Sequence, residues 1–274
     1  MRDMLKIYIA DLELQGVLLF ATEQRPSLAE EGGAVISTGH YIHNYPLIYG
    51  FANRNVESYS VIPSLHFLSY EDLKKSQFAP KIARSPLCYS FVEEQLKNLL
   101  GDKESIYVFP ACPEKIVVKK FFMQAKGSGY AESRGALKIV YPRLEHYVAL
   151  VPPSRFKTVV LTNGVELPHM VFVRIGMKRM GLFKVYLREA RIERQIEELA
   201  WTNIPVNLFD IEQFGYSVED FIKVLETRSK TPNKILASLV GYVKARKLFM
   251  VSGGDHLKEI TIRVPLPLKL MRVQ

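Results

Sequence analysis

An α+β fold is predicted by three observations. Seven apolar, β-branched segments separated by Gly, Pro or Asn turns fill residues 105–187, helix-start chemistry lies on both sides of them, and the positive charge gathers in the same middle third. The net charge is +9, yet residues 111–194 hold 16 Lys/Arg against 6 Asp/Glu, leaving 21 against 22 elsewhere. Charge so concentrated favours a polyanionic partner, a phosphate backbone above all, over an evenly solvated face.

The elements follow in order. Leu5, Ile7 and Ile9 alternate, then the phase changes to Leu12 and Leu14, so a long strand with a bulge near Ala10 and Asp11 is predicted, continued by "GVLLFAT". A loop follows over residues 21–39. In "HYIHNYPLIYG", Pro46 is tolerated only in a first helical turn, which places the helix start between Ile42 and Tyr45 with Asn44 as N-cap. Tyr45, Ile48, Tyr49 and Ala52 then form an apolar stripe expected in the core, while His43 and Asn44 stand beside unpaired N–H groups as a candidate phosphate seat. Ser69 with Asp72 and Ser90 with Glu93 are capping boxes, and Gly101 stops the second of these helices. After the β-rich centre, helices are predicted over "EARIERQIEELA", after Ser217 with Asp220, and over "PNKILASLVGYVKARK". Ile260, Ile262 and Val264 alternate as a closing strand.

Enzyme signatures are missing: there is no GxxxxGK[ST], HExxH, GxSxG or CxxC. Cys88 and Cys112, the two cysteines present, build neither a zinc knuckle nor a disulfide framework, and no metal or other cofactor is expected. With no apolar run of membrane-spanning length and charges throughout the first residues, a cytoplasmic protein without a membrane span is expected. A metal-free ribonuclease needs only a base and a cation near phosphate, so His43 and His146 stay open for that role.

Two glycine-rich junctions carry the stronger signal. "KGSGYAESRG" sets Lys126, Tyr130 and Arg134 among three glycines, a recipe for close backbone approach, base stacking and phosphate contact. "RIGMKRMGLFK" repeats it with Arg174, Lys178, Arg179 and Lys184, although strand alternation does not require Arg174 and Lys184 to share a face. Met177 and Met180 are candidate apolar anchors at that turn.

"YIHNYPLIYG", "GYAESRG" and "VRIGMKRMG", in this order and spacing, resemble the Cas-five subunit of the type I-D CRISPR effector complex, the Csc-one family of the RAMP superfamily, over residues 1 to about 190. The resemblance implies a ferredoxin-like, RRM-like core over residues 1–190 with a thumb hairpin at 124–136, and leaves 191–274 as a mainly helical part packed on it. It implies a subunit that is not an enzyme, grips the five-prime handle of the CRISPR RNA, caps the backbone subunits and contacts the large subunit near target DNA. His43, Asn44, Lys126, Tyr130, Arg134, Arg174, Lys178, Arg179 and Lys184 are the expected RNA contacts. A metal-independent CRISPR RNA endoribonuclease and a protein-only scaffold with a basic face are the alternatives.

Overall fold

The structure, a computed structural model, describes residues 5–19, 23–26, 34–37, 41–54, 90–125, 143–176, 180–216, 240–255 and 258–271. Among them lie sixteen strands and four helices. The strands are β1 (Lys6–Leu14), β2 (Glu23–Pro26), β3 (Ala34–Ser37), β4 (Ser105–Val108), β5 (Cys112–Lys115), β6 (Val118–Ala125), β7 (Arg143–Leu150) and β8 (Arg155–Asn163). They continue with β9 (Met170–Ile175), β10 (Gly181–Ile196), β11 (Ala200–Trp201), β12 (Val206–Asn207), β13 (Val240–Gly241), β14 (Lys244–Ala245), β15 (Leu248–Asp255) and β16 (Lys258–Val264). The helices are α1 (Asn44–Phe51), α2 (Ser90–Leu99), α3 (Leu208–Gln213) and α4 (Leu268–Met271).

Eight strands form the principal sheet in the order β16-β15-β10-β1-β8-β4, with β9 added to β10 and β5 to β8. β1 is central and pairs without interruption to both β10 and β8, so the bulge expected at Ala10–Asp11 is absent. The apparent change of phase has another cause: Ile7, Tyr8, Ile9 and Ala10 are all buried, because both faces of the sheet are covered there, and alternation resumes only from Asp11. The register shifts in this sheet fall instead between Ile192 and Arg194 of β10 and between Pro113 and Lys115 of β5.

The strands expected at "SIYVF", "HYVALV", "KTVVLT", "HMVFVRI" and "LFKVYL" are present, and "KIVVKKFFM" is represented by β6. "ALKIVY" and the tip residues Lys126, Tyr130 and Arg134 lie outside the described residues. β6 and β7, which flank that segment, pair antiparallel from Val118 opposite Leu150 to Ala125 opposite Arg143, in a second sheet of order β2-β3-β7-β6.

The helix predicted over "EARIERQIEELA" is a strand. β10 runs on to Ile196 and its distal part pairs with β15, while Ala200–Trp201 form another strand. Glu, Arg and Gln favour helix locally, but propensity is a weak prior against ladder bonds and the burial of Val251 and Leu248 opposite Ile192 and Ile196. The last residues of "PNKILASLVGYVKARK" likewise form β13 and β14; its earlier part, and the boxes at Ser69 and Ser217, lie outside the described residues. The described part of 191–274 is therefore mostly strand rather than helix, and residue 190 falls inside β10 instead of at a boundary. The alternating strand at Ile260, Ile262 and Val264 is β16, as expected.

Helices α1 and α2 cover one face of the sheet, α1 against β9 and β4 and α2 against β4 and β8. Tyr45, Ile48 and Tyr49 are buried, as their spacing predicts, and Val92, Leu96 and Leu99 form the buried stripe of α2. Gly50 lets α1 lie close: a Cβ there would stand 2.6 Å from Val173 Cγ1.

Candidate nucleic-acid interface

In an antiparallel ladder, residues opposite one another share a face. One face of the β9–β10–β1–β8 region carries Val173, Phe183, Leu14 and Val185, Leu12, Phe156, all buried. The other face carries two rows. The first runs Phe172, Lys184, Glu13, Arg155, Lys115, and the second Met170, Tyr186, Asp11, Lys157, Cys112. Arg174, two residues from Phe172, belongs to this face as well. The register thus places Arg174 and Lys184 on the same side, which strand alternation alone had left undecided.

Charge on this face is sorted from centre to edge. Arg155 meets Glu13 at 3.0 Å, Lys157 meets Asp11 at 3.8 Å and also Glu114, and Arg188 pairs with Asp11. The carboxylates are occupied by these inner cations. Towards β9, Lys184 sits over the Tyr186 ring at 4.8 Å, and Arg174 is exposed. Hydrogen bonding to Tyr186 holds the Lys184 ammonium above its ordinary pKa, so it remains a cation. Between them the Phe172 ring is 59% exposed, and Met170 and Met180 are also exposed. An exposed aromatic flanked by two cations is a platform for a base with its phosphates. Phe172 went unrecognised in the sequence because "MVFVRI" is apolar on both faces; only pairing with Lys184 reveals its outward side.

The β9–β10 turn is closed by glycine. Gly176 adopts φ +81°, which a side chain rarely takes, and a Cβ there would stand 2.6 Å from Leu18 Cδ1. Gly181 is equally confined, 2.5 Å from the same Leu18 atom. Gly176 and Gly181, which bound the turn, pack against the 16–19 segment, while Lys178, Arg179 and Met177 lie outside the described residues.

The helix start is different from expectation. His43, not Asn44, is the N-cap, its Nδ1 accepting from the Tyr45 amide at 3.3 Å. Asn44 is the first helical residue and wholly buried; its Nδ2 donates to Asp210 Oδ2 at 2.6 Å. Tyr107 and Tyr45 donate to the same carboxylate at 2.6 and 3.2 Å, and Asn207 donates to Tyr45 Oη at 2.8 Å. Internal partners spend these groups, so the open phosphate seat assigned to His43 and Asn44 does not fit this enclosed, carboxylate-bearing site. Among the described residues no cluster of His, Cys, Asp or Glu could hold a metal, and no helix is long and apolar enough to cross a membrane.

Two titrations with opposite signs follow. Burial pushes His43 down to about 3 from 6.5, so the unfolded chain binds more protons between those values and stability falls as pH drops below 6.5. Burial pushes Asp210 up to about 6 from 3.8, so its contribution is full below 3.8 and is lost as pH rises through 6. His43→Asn, which keeps a capping acceptor, should gain stability relative to wild type as pH falls from 6.5. Asp210→Asn should gain relative to wild type as pH rises from 4 to 6. Urea midpoints across this range test both, and two differences of the same sign would refute the assignment.

The comparison with protein families adds one match: the model described as type I-D CRISPR-associated protein Cas5/Csc1 matches residues 5–234. No curated protein matches the chain. The family match spans β1 through β12 and includes the Phe172–Lys184 face. With most of its length matched, the chain belongs to the type I-D CRISPR-associated Cas5/Csc1 family.

Proposed function

We propose that this chain is a non-catalytic subunit of a type I-D CRISPR effector complex that binds the five-prime handle of the CRISPR RNA. The observation that carries the reading is the exposed Phe172 ring between Arg174 and Lys184, beside a glycine-closed turn. The order β10-β1-β8-β4, antiparallel throughout and with α1 and α2 falling between β1 and β4 in the chain, supports an RRM-like core. The handle lies against the β9–β10 face, reached also by Lys178 and Arg179, while Lys126, Tyr130 and Arg134 act as a thumb between backbone subunits. The large subunit and target DNA approach the assembled complex nearby.

Repeat RNA incubated with the protein in EDTA separates this from the ribonuclease. We expect a shifted but uncut RNA on gels. Cleavage at one position would overturn the non-catalytic reading, and purification free of any RNA from cells expressing the guide would favour the protein-only scaffold.

A further inference from the structure

A second aromatic and cationic site lies in the last third, away from the Phe172 face. The β10–β15–β16 ladder sets Arg194, Met250 and Arg263 side by side in one cross-strand row. That row lines a cleft of about 930 Å³ together with Trp201, Glu197 and Glu198. Arg194 Nε donates to the Met250 sulfur at 3.0 Å, and Arg263 Nε donates to Asn203 Oδ1 at 3.1 Å, so both guanidinium groups are held in place, with no carboxylate partner among the described residues. Two strand spacings put their backbones roughly 10 Å apart. Trp201 is 47% exposed, pairs in register with Lys244 and has that ammonium 5.2 Å from its ring centre. Tyr242, also exposed, precedes Lys244, Arg246 and Lys247 in a stretch without a carboxylate, "VGYVKARK".

We propose that this cleft binds a single-stranded polynucleotide, with a base stacked on Trp201 and phosphates held by Arg194 and Arg263. Two neighbouring like charges on the lining of one cleft are stabilised by an anion that bridges them, and an aromatic with half its surface in solvent supplies a stacking face for any base. Glu197 and Glu198 add acceptors suited to base amino groups rather than to phosphate. A protein interface of ordinary kind would instead centre on an apolar, uncharged core. Tyr242, Lys244 and Arg263 lie beyond residues 5–234, so the family match does not reach this site as a whole.

Trp201 is the only tryptophan of the chain, and its fluorescence reports the site directly. Titrations use full-length protein carrying Phe172→Ala, Arg174→Ala and Lys184→Ala, which disables the first face, with a uridine oligomer in one arm and a thymidine oligomer in the other. The expected result is saturable quenching in at least one arm, the stronger arm identifying RNA or DNA. Measured by anisotropy, Trp201→Ala should then lose affinity by about 5- to 100-fold, and Trp201→Phe should regain most of it. Arg194→Ala with Arg263→Ala should flatten the log-log salt slope by about 1.4. Absence of quenching in both arms overturns the proposal. So does unchanged nucleic-acid affinity in Trp201→Ala, including the case where that variant fails to assemble with other subunits, which would assign the cleft to a protein. Loss of handle binding in the Phe172, Arg174, Lys184 background bears only on the first face.

Discussion

Asp210→Ala is expected to destabilise the protein by about 3–5 kcal/mol, a large share of the roughly 5–15 kcal/mol that holds a domain together. The carboxylate accepts from Asn44, Tyr45 and Tyr107, and all four side chains are buried. Each donor left unpaired costs roughly 1–3 kcal/mol, and partial relaxation keeps the sum below three separate penalties. The loss should be structural in a particular way: Asp210 belongs to α3 and Asn44 and Tyr45 to α1, so the network ties the C-terminal part to the first helix. Urea unfolding measures the loss, and hydrogen exchange should show α3 opening more readily in the variant. A change below about 1 kcal/mol would mean that the carboxylate is dispensable to the core.

The second large effect concerns RNA. Phe172→Ala, Arg174→Ala and Lys184→Ala combined should weaken binding of handle RNA by about 100-fold, with the stacked base supplying roughly tenfold and two phosphate contacts the remainder. The salt slope should fall by about 1.4, because each phosphate contact on a single strand contributes roughly 0.7. The melting temperature should scarcely move, since Phe172 and Arg174 are exposed and leave the buried row of Val173, Phe183 and Val185 intact. Unchanged affinity and slope in the folded variant would place the RNA elsewhere on the chain.

Much of this was legible in the residues because its causes are local. An apolar, β-branched run marks β8 and alternation marks β16, a proline in the first turn confines the start of α1, and the spacing of Tyr45, Ile48 and Tyr49 declares a buried stripe. The joint order of three short motifs likewise carries the family, which the match over residues 5–234 bears out. Other features depend on partners distant in sequence. Residues 191–196 have helix-forming side chains and become strand because β15, some fifty to sixty positions on, pairs with them. Asn44 has the chemistry of a cap, yet Asp210, 166 residues away, draws it into the core and leaves capping to His43. Phe172 reads as one more apolar strand residue until the ladder sets it opposite Lys184, and Trp201 gains its cleft only when β10, β15 and β16 align two arginines beside it. Sequence by itself determined which segments prefer to bend, cap or extend, since those preferences are properties of a few neighbouring residues. Tertiary structure decided which face each residue turns to solvent, because that follows from strand register, and register is set by the burial of both partners at once.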